Sequence, residues 1–216
     1  MIILLGLPKT GTTSFHHLFL TLGFKSYHQA YKHNSIANLI KDNIKKGKKL
    51  LDFIPEHERD ETCLTQMDHC LSPDCCFWPQ VVCYKELYHQ NKDSIFILNK
   101  RNVRNVLKSF KKQMFPKKKK QTPLDKRLIK YNPELLADIP ESDNPDERLL
   151  HFFENHNNNI INFFADKKDA KFIIYNIEID SIDKLKEHID IKDAKKLPRL
   201  TGHDPLWWHK PKRTKA

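Results

Sequence analysis

Gly6 and Gly11 bracket Lys9, and three hydroxyl residues, Thr12, Thr13 and Ser14, follow directly. The apolar run Met1–Gly6 leads into this segment, and Phe15, Leu18, Phe19 and Leu22 leave it at the i, i+3, i+4, i+7 spacing of a helix. A strand passing through such a loop into a helix aims backbone N–H groups at one point, and the helix dipole adds positive charge there. Lys9 supplies a full charge and the hydroxyls supply donors. The segment from Lys9 through Thr10 and Gly11 to Ser14 therefore suits a phosphate or sulfate group.

A nucleotide-hydrolysing P-loop carries its lysine immediately after the second glycine, followed by Ser or Thr for magnesium. Here Thr12 fills the lysine slot and the lysine stands earlier, at position 9. The later apolar run Ile95–Leu98 leads into Asn99, Lys100 and Arg101 rather than a magnesium-binding aspartate. Metal-assisted ATP chemistry is disfavoured, and no metal is expected to be required. A P-loop kinase stays as the alternative reading.

The elements that must position this loop can be read from hydrophobic periodicity. Strands are predicted at Met1–Gly6, Phe24–His28, Cys63–Met67, Ser94–Asn99 and Lys171–Ile177. Helices are predicted after Ser14, over 35–50, from Pro79 to Tyr88, after Val103, over 146–165 and over Ile182–His188. Ser72-Pro73-Asp74 reads as a turn, and 111–130 as a basic loop. Strands apolar on both faces, alternating with helices, predict an α/β fold: three layers, with a mainly parallel sheet flanked by helices. Ligands of such sheets bind beyond the strand C-terminal ends. A single domain over 1–209 is expected, followed by a loose basic tail, 210–216.

The net charge of +11, from 38 Lys and Arg against 27 Asp and Glu, favours anionic partners without choosing among them. No motif for reading nucleic acid is visible, so no specific nucleic-acid partner is expected. The apolar runs are strand-sized, so no membrane span is expected, and the start reads as a strand rather than a signal peptide. An intracellular, cytoplasmic location follows as an expectation. All five cysteines fall between Cys63 and Cys83, an odd count that argues for free thiols, with zinc binding alongside His69 as the lesser alternative.

Pro8-Lys9-Thr10-Gly11-Thr12-Thr13-Ser14 resembles the 5′-phosphosulfate loop of sulfotransferases that use 3′-phosphoadenosine 5′-phosphosulfate (PAPS) and release adenosine 3′,5′-bisphosphate (PAP). Phe96–Arg101, with Ser109 eight residues beyond Arg101, is similar to that family's 3′-phosphate segment. A guanidinium offers paired donors to a phosphate, and Asn102, Asn105 and Ser109 fall on one helix face. The likeness is closest to a short, soluble branch with a P-loop NTPase-like fold. It extends through Leu22–His28, Pro79–Leu87, His156-Asn157 and Phe172–Asn176, and it implies that Tyr175 lies close to the nucleotide.

The resemblance implies transfer of a sulfuryl group to a hydroxyl or amine of a small molecule or glycan, with Lys9 neutralising the leaving phosphate. An alcohol acceptor also needs a general base. Relatives carry an Asp two residues before the equivalent of Pro79, where this chain has Phe77. His28, Asp68 and Asp74 are the candidates, with His156 as an acceptor contact. Lys117–Lys120 could draw an acidic substrate or be a solvated run, and Trp207-Trp208 could cap a pocket or pack on the core. A non-catalytic PAPS-binding relic also stays open, and oligomeric state is unassigned.

Overall fold

A computed structural model describes residues 1–72, 75–114, 142–191 and 194–198, excluding the side chains of 69–72, 75, 113 and 114. The expectations for Asp74, Lys117–Lys120, Trp207-Trp208 and the tail lie outside the described residues. The strands are β1 (Ile2–Leu4), β2 (Lys25–His28), β3 (Ala30–Tyr31), β4 (Asn34–Ser35), β5 (Thr62–Gln66), β6 (His69–Ser72), β7 (Cys75–Phe77), β8 (Ile95–Lys100) and β9 (Lys171–Asn176). The helices are α1 (Thr12–Thr21), α2 (Ile36–Lys45), α3 (Pro79–Val82), α4 (Tyr84–Gln90), α5 (Val103–Met114), α6 (Pro145–Phe164) and α7 (Asp183–Lys186).

The main sheet runs β4-β3-β2-β5-β1-β8-β9. Its five-stranded body, β2 to β9, is parallel, and β3 and β4 add an antiparallel edge. The five strands expected from sequence are all present. The short β3–β4 and β6–β7 pairs carry no periodic signal and were not anticipated. The basic loop also begins later than expected, because α5 runs on to Met114. Its buried Val106, Leu107 and Phe110 share one face and hold the helix down.

Strand alternation divides the core into two layers. Ile3, Leu5, Leu64, Phe96 and Leu98 face one side, where they meet Ile36 and Ile40 of α2, Leu87 of α4 and Ile160 of α6. Ile2, Leu4, Cys63, Ile97 and Ile173 face the other, against Phe15, Leu18 and Phe19 of α1 and Leu185 of α7. A third cluster joins α5 to α6 through Phe110, Leu149, Phe152 and Phe153, with Trp78 and Leu7.

Local signals explain the helix ends. The Ser35 hydroxyl accepts from Asn38 N at the start of α2, and Gly47 takes a left-handed φ of 64° just beyond its end. Asn144 caps α6 by accepting from Asp146 N at 3.0 Å, with Pro145 at the first helical position. Cys63 and Cys83 are free and buried. Cys76 is disulfide-bonded, which corrects the expectation of free thiols throughout.

Candidate active site

β1 ends at the centre of the sheet, between β5 and β8, so the loop after it opens where the crossovers change direction. Lys9 (φ 72°) and Gly11 (φ 88°) are both left-handed, and this doubles the chain back before α1. A Cβ on Gly11 would lie 3.0 Å from the side chain of Ile177. α1 has neither a capping side chain nor an acidic residue in its first turn, so its N-terminal amides stay available to an outside anion.

The loop hydroxyls are divided in their work. Thr10 is turned inward: its hydroxyl donates to Leu7 O at 2.5 Å and accepts from Asn99 Nδ2 at 2.6 Å. Thr12 donates to the amide oxygen of Gln66, at the end of β5, at 2.6 Å. Thr13 is partly exposed and Ser14 is buried in the first turn of α1.

Sequence reasoning missed Asn99. It is fully buried, accepts from Gly6 N at 2.9 Å, and also donates to Thr10 O at 3.3 Å. Its signal was a single amide closing an otherwise apolar strand, a pattern that does not announce a strut.

Arg101 follows β8 and meets the same loop, donating from Nη1 to Lys9 O at 3.3 Å. Its Nε donates to Glu178 Oε1 at 3.0 Å. The same carboxylate accepts from Asn102 N at 3.0 Å and Asn105 Nδ2 at 2.9 Å. Partial burial raises the pKa of Glu178, but the hydrogen bonds from Asn102, Arg101 and Asn105 outweigh it, leaving the carboxyl below its usual range. Arg101, Asn102, Glu154, Asn157 and Glu178 line a cleft of about 490 Å³ beyond β8 and β9.

Ser109 is partly exposed on α5 and is not part of that cleft lining. Tyr175 is buried at 2% exposure. It meets Phe15 edge-on and donates its hydroxyl to Asp180 O at 3.1 Å.

On the other side of β1, beyond β5, Asp68 is buried at 5% exposure and accepts from Gln80 Nε2 at 3.4 Å. Burial pushes its carboxyl up to about 6, against the hydrogen bonds that favour the charged form. Lys9 is held below its usual pKa by burial, with Asp68 acting to raise it and Arg101 to lower it. The lysine thus lies between the groups that follow β5 and those that follow β8.

His28 ends β2. Its ring stacks on His16 with centroids 5.4 Å apart, and its Nδ1 is 3.3 Å from Thr65 Oγ1. Burial, then His16 and Lys9, push its pKa down to about 3. His156 lies deeper, its Nε2 2.8 Å from Leu5 O, and burial lowers it to about 4. It braces α6 against the end of β1. Among the described residues no cluster of three or more His, Cys, Asp or Glu side chains could hold a metal ion, and no helix is long and apolar enough to cross a membrane.

No curated protein matches this chain. A family model described as a sulfotransferase domain matches residues 1–199, which takes in the loop after β1, Asp68, Arg101 and the strand leading to Glu178. With that match spanning the whole parallel sheet, the chain belongs to the sulfotransferase family and is a transferase of the α/β sulfotransferase fold.

Proposed function

We propose that the protein transfers the sulfuryl group of PAPS to a hydroxyl or amine of a small-molecule or glycan acceptor and releases PAP. The observation that carries this reading is the bond from Arg101 Nη1 to Lys9 O, which couples two anion-binding segments at neighbouring strand ends. One segment suits a 5′-phosphosulfate and the other a 3′-phosphate, and the cleft beyond β8 and β9 leaves room for a nucleoside.

The N-terminal amides of α1, that of Thr12 included, and the hydroxyls of Thr13 and Ser14 bind the 5′ end, with Thr10 and Gly11 setting the loop shape and the Thr12 hydroxyl held by Gln66. Arg101 binds the 3′ end, assisted by Asn105 at the start of α5, and a role for Ser109 requires the phosphate to reach beyond the cleft along that helix. Tyr175 supports α1 from beneath. Acceptor binding falls on the β5 and β2 side, where Asp68 and His28 lie.

During transfer the acceptor oxygen bonds to sulfur while the bond from sulfur to the 5′-phosphate oxygen breaks. Lys9 neutralises the charge that develops on that leaving oxygen, and the acceptor proton passes to a base. Asp68 is the better base. Its pKa of about 6 is close to working pH, whereas His28, lowered to about 3, is too weak a base to hold the proton. A magnesium-dependent kinase gains no support from Thr12, whose hydroxyl is bound to the neutral amide of Gln66 rather than to a carboxylate.

Calorimetry with PAP, set against ATP with magnesium, tests the reading. Preference for PAP is expected, and preference for ATP would refute it.

A further inference from the structure

The donors expected to hold a 3′-phosphate are already clasped around a carboxylate. Arg101 Nε, Asn102 N and Asn105 Nδ2 all reach Glu178, at 3.0, 3.0 and 2.9 Å. Two of these donors are at the start of α5, where the helix dipole favours a negative group. Three converging donors with a helix terminus behind them form the arrangement that would serve a phosphate, and here an internal anion fills it.

The charges lining the cleft sharpen the point. Lys100 and Arg101 are matched by Glu154 and Glu178, so the two cations and two carboxylates lining the cleft offset one another. Withdrawing Glu178 would expose the donors and leave the lining net positive. The link to solvent is short, since the Arg101 and Glu178 side chains are each about 30% exposed (31% and 29%). Glu178 lies in the turn after β9, where its amide donates to Asn176 Oδ1 at 3.0 Å. Neighbouring Ile179 is 79% exposed, while the turn itself is held by backbone bonds from Ile179 and Asp180 to Asn176 O, so the Glu178 side chain can swing out without the turn opening.

We propose that Glu178 is an internal latch: its carboxylate occupies the 3′-phosphate donors in the free enzyme, and only a nucleotide bearing that phosphate displaces it. This rests on the assignment of Arg101 to the 3′-phosphate made above. A nucleotide with a bare 3′-hydroxyl has no charge to compete with and binds with the latch in place. The carboxylate therefore narrows the preference for nucleotides with the 3′-phosphate, because only that phosphate must displace it to bind.

The test compares wild type with Glu178→Gln and Glu178→Ala, titrating each with PAP and with adenosine 5′-monophosphate. Thermal melts run alongside report folding. Both variants should bind PAP about tenfold more tightly, because the competent fraction of sites rises, while affinity for the monophosphate stays unchanged. Without ligand their melting temperatures should fall, and PAP should raise them by more than it raises wild type. If wild type binds PAP but the variants bind it equally or more weakly, or if both nucleotides gain alike, the latch is refuted and the donor assignment survives. If neither wild type nor variants bind PAP, both fall together. PAP binding by the variants alone would mean a latch that stays shut in the wild type.

Discussion

The side-chain amide of Asn99 ties the end of β8 to both ends of the anion loop, accepting from Gly6 N at 2.9 Å and donating to Thr10 Oγ1 at 2.6 Å. The contact is so close that a Cβ on Gly6 would come within 2.2 Å of Asn99 O. Asn99→Ala should cost about 2–4 kcal/mol, from several buried bonds lost together, and should weaken PAP binding. Gly6→Ala should cost a similar amount through overpacking, roughly 3 kcal/mol. Denaturant unfolding with parallel PAP titration checks both.

Lys9 combines the charge proposed to act in the transfer step with a backbone conformation that suits glycine. Lys9→Ala should lower kcat by about 100-fold or more, as loss of a transition-state charge partner does, with a smaller change in PAP affinity. Lys9→Gly should be equally inactive, yet more stable than Lys9→Ala by about 1 kcal/mol, because glycine relieves the left-handed φ of 72°. Equal stability of the two variants would mean that the loop stores no strain there.

Burial raises Asp68 to about 6, so the ionised form of the proposed base accumulates as pH rises through that value. kcat/KM should climb to a plateau above about pH 6, and Asp68→Asn should lose both that limb and about 100-fold in rate. Stability should move the other way. The folded pKa is raised, so the unfolded chain ionises more easily, and wild type loses stability between about pH 4 and 6 through this group. Above that window Asp68→Asn should be more stable than wild type by on the order of 3 kcal/mol. Activity retained in Asp68→Asn and lost in His28→Gln would reverse the base assignment.

Three histidines, His16, His28 and His156, are held neutral by burial, at about 4, 3 and 4. Depressed histidines stabilise the fold above their unfolded pKa and lose that contribution as pH falls. Each should cost about 1.4 kcal/mol per pH unit below about 6.5, with Asp68 offsetting one of them between 6 and 4. Melting temperature should drop steeply over that range. His156→Leu should remove part of the slope while costing about 1–3 kcal/mol at pH 7, because Leu5 O loses its buried donor.

The parallel sheet was legible because each core strand is a short apolar run, and the loop with Lys9 was legible because its glycines and hydroxyls are contiguous. Arg101 was found from its distance to Ser109, though the structure brings only Arg101 to the cleft. Glu178 could not be found that way. It belongs to the turn after β9, 77 residues from Arg101 in the chain, and only the pairing of β8 with β9 brings the two together. The β3–β4 pair escaped notice because two-residue strands carry no alternation to read. Asp68 was visible as a candidate, but its raised pKa comes from burial near Gln80, which no spacing encodes.

Asn99 and Arg101 sit two residues apart, and an extended chain turns alternate side chains the same way, so one short segment holds the loop through both Thr10 and Lys9 and carries the group proposed to grip the nucleotide. Inserting or deleting a single residue within 95–98 would rotate both groups away from the loop at once, a double failure no lone compensating substitution could repair. Redesign of donor preference therefore has to leave β8 untouched and work from the β9 turn, where changes leave the Asn99 strut intact.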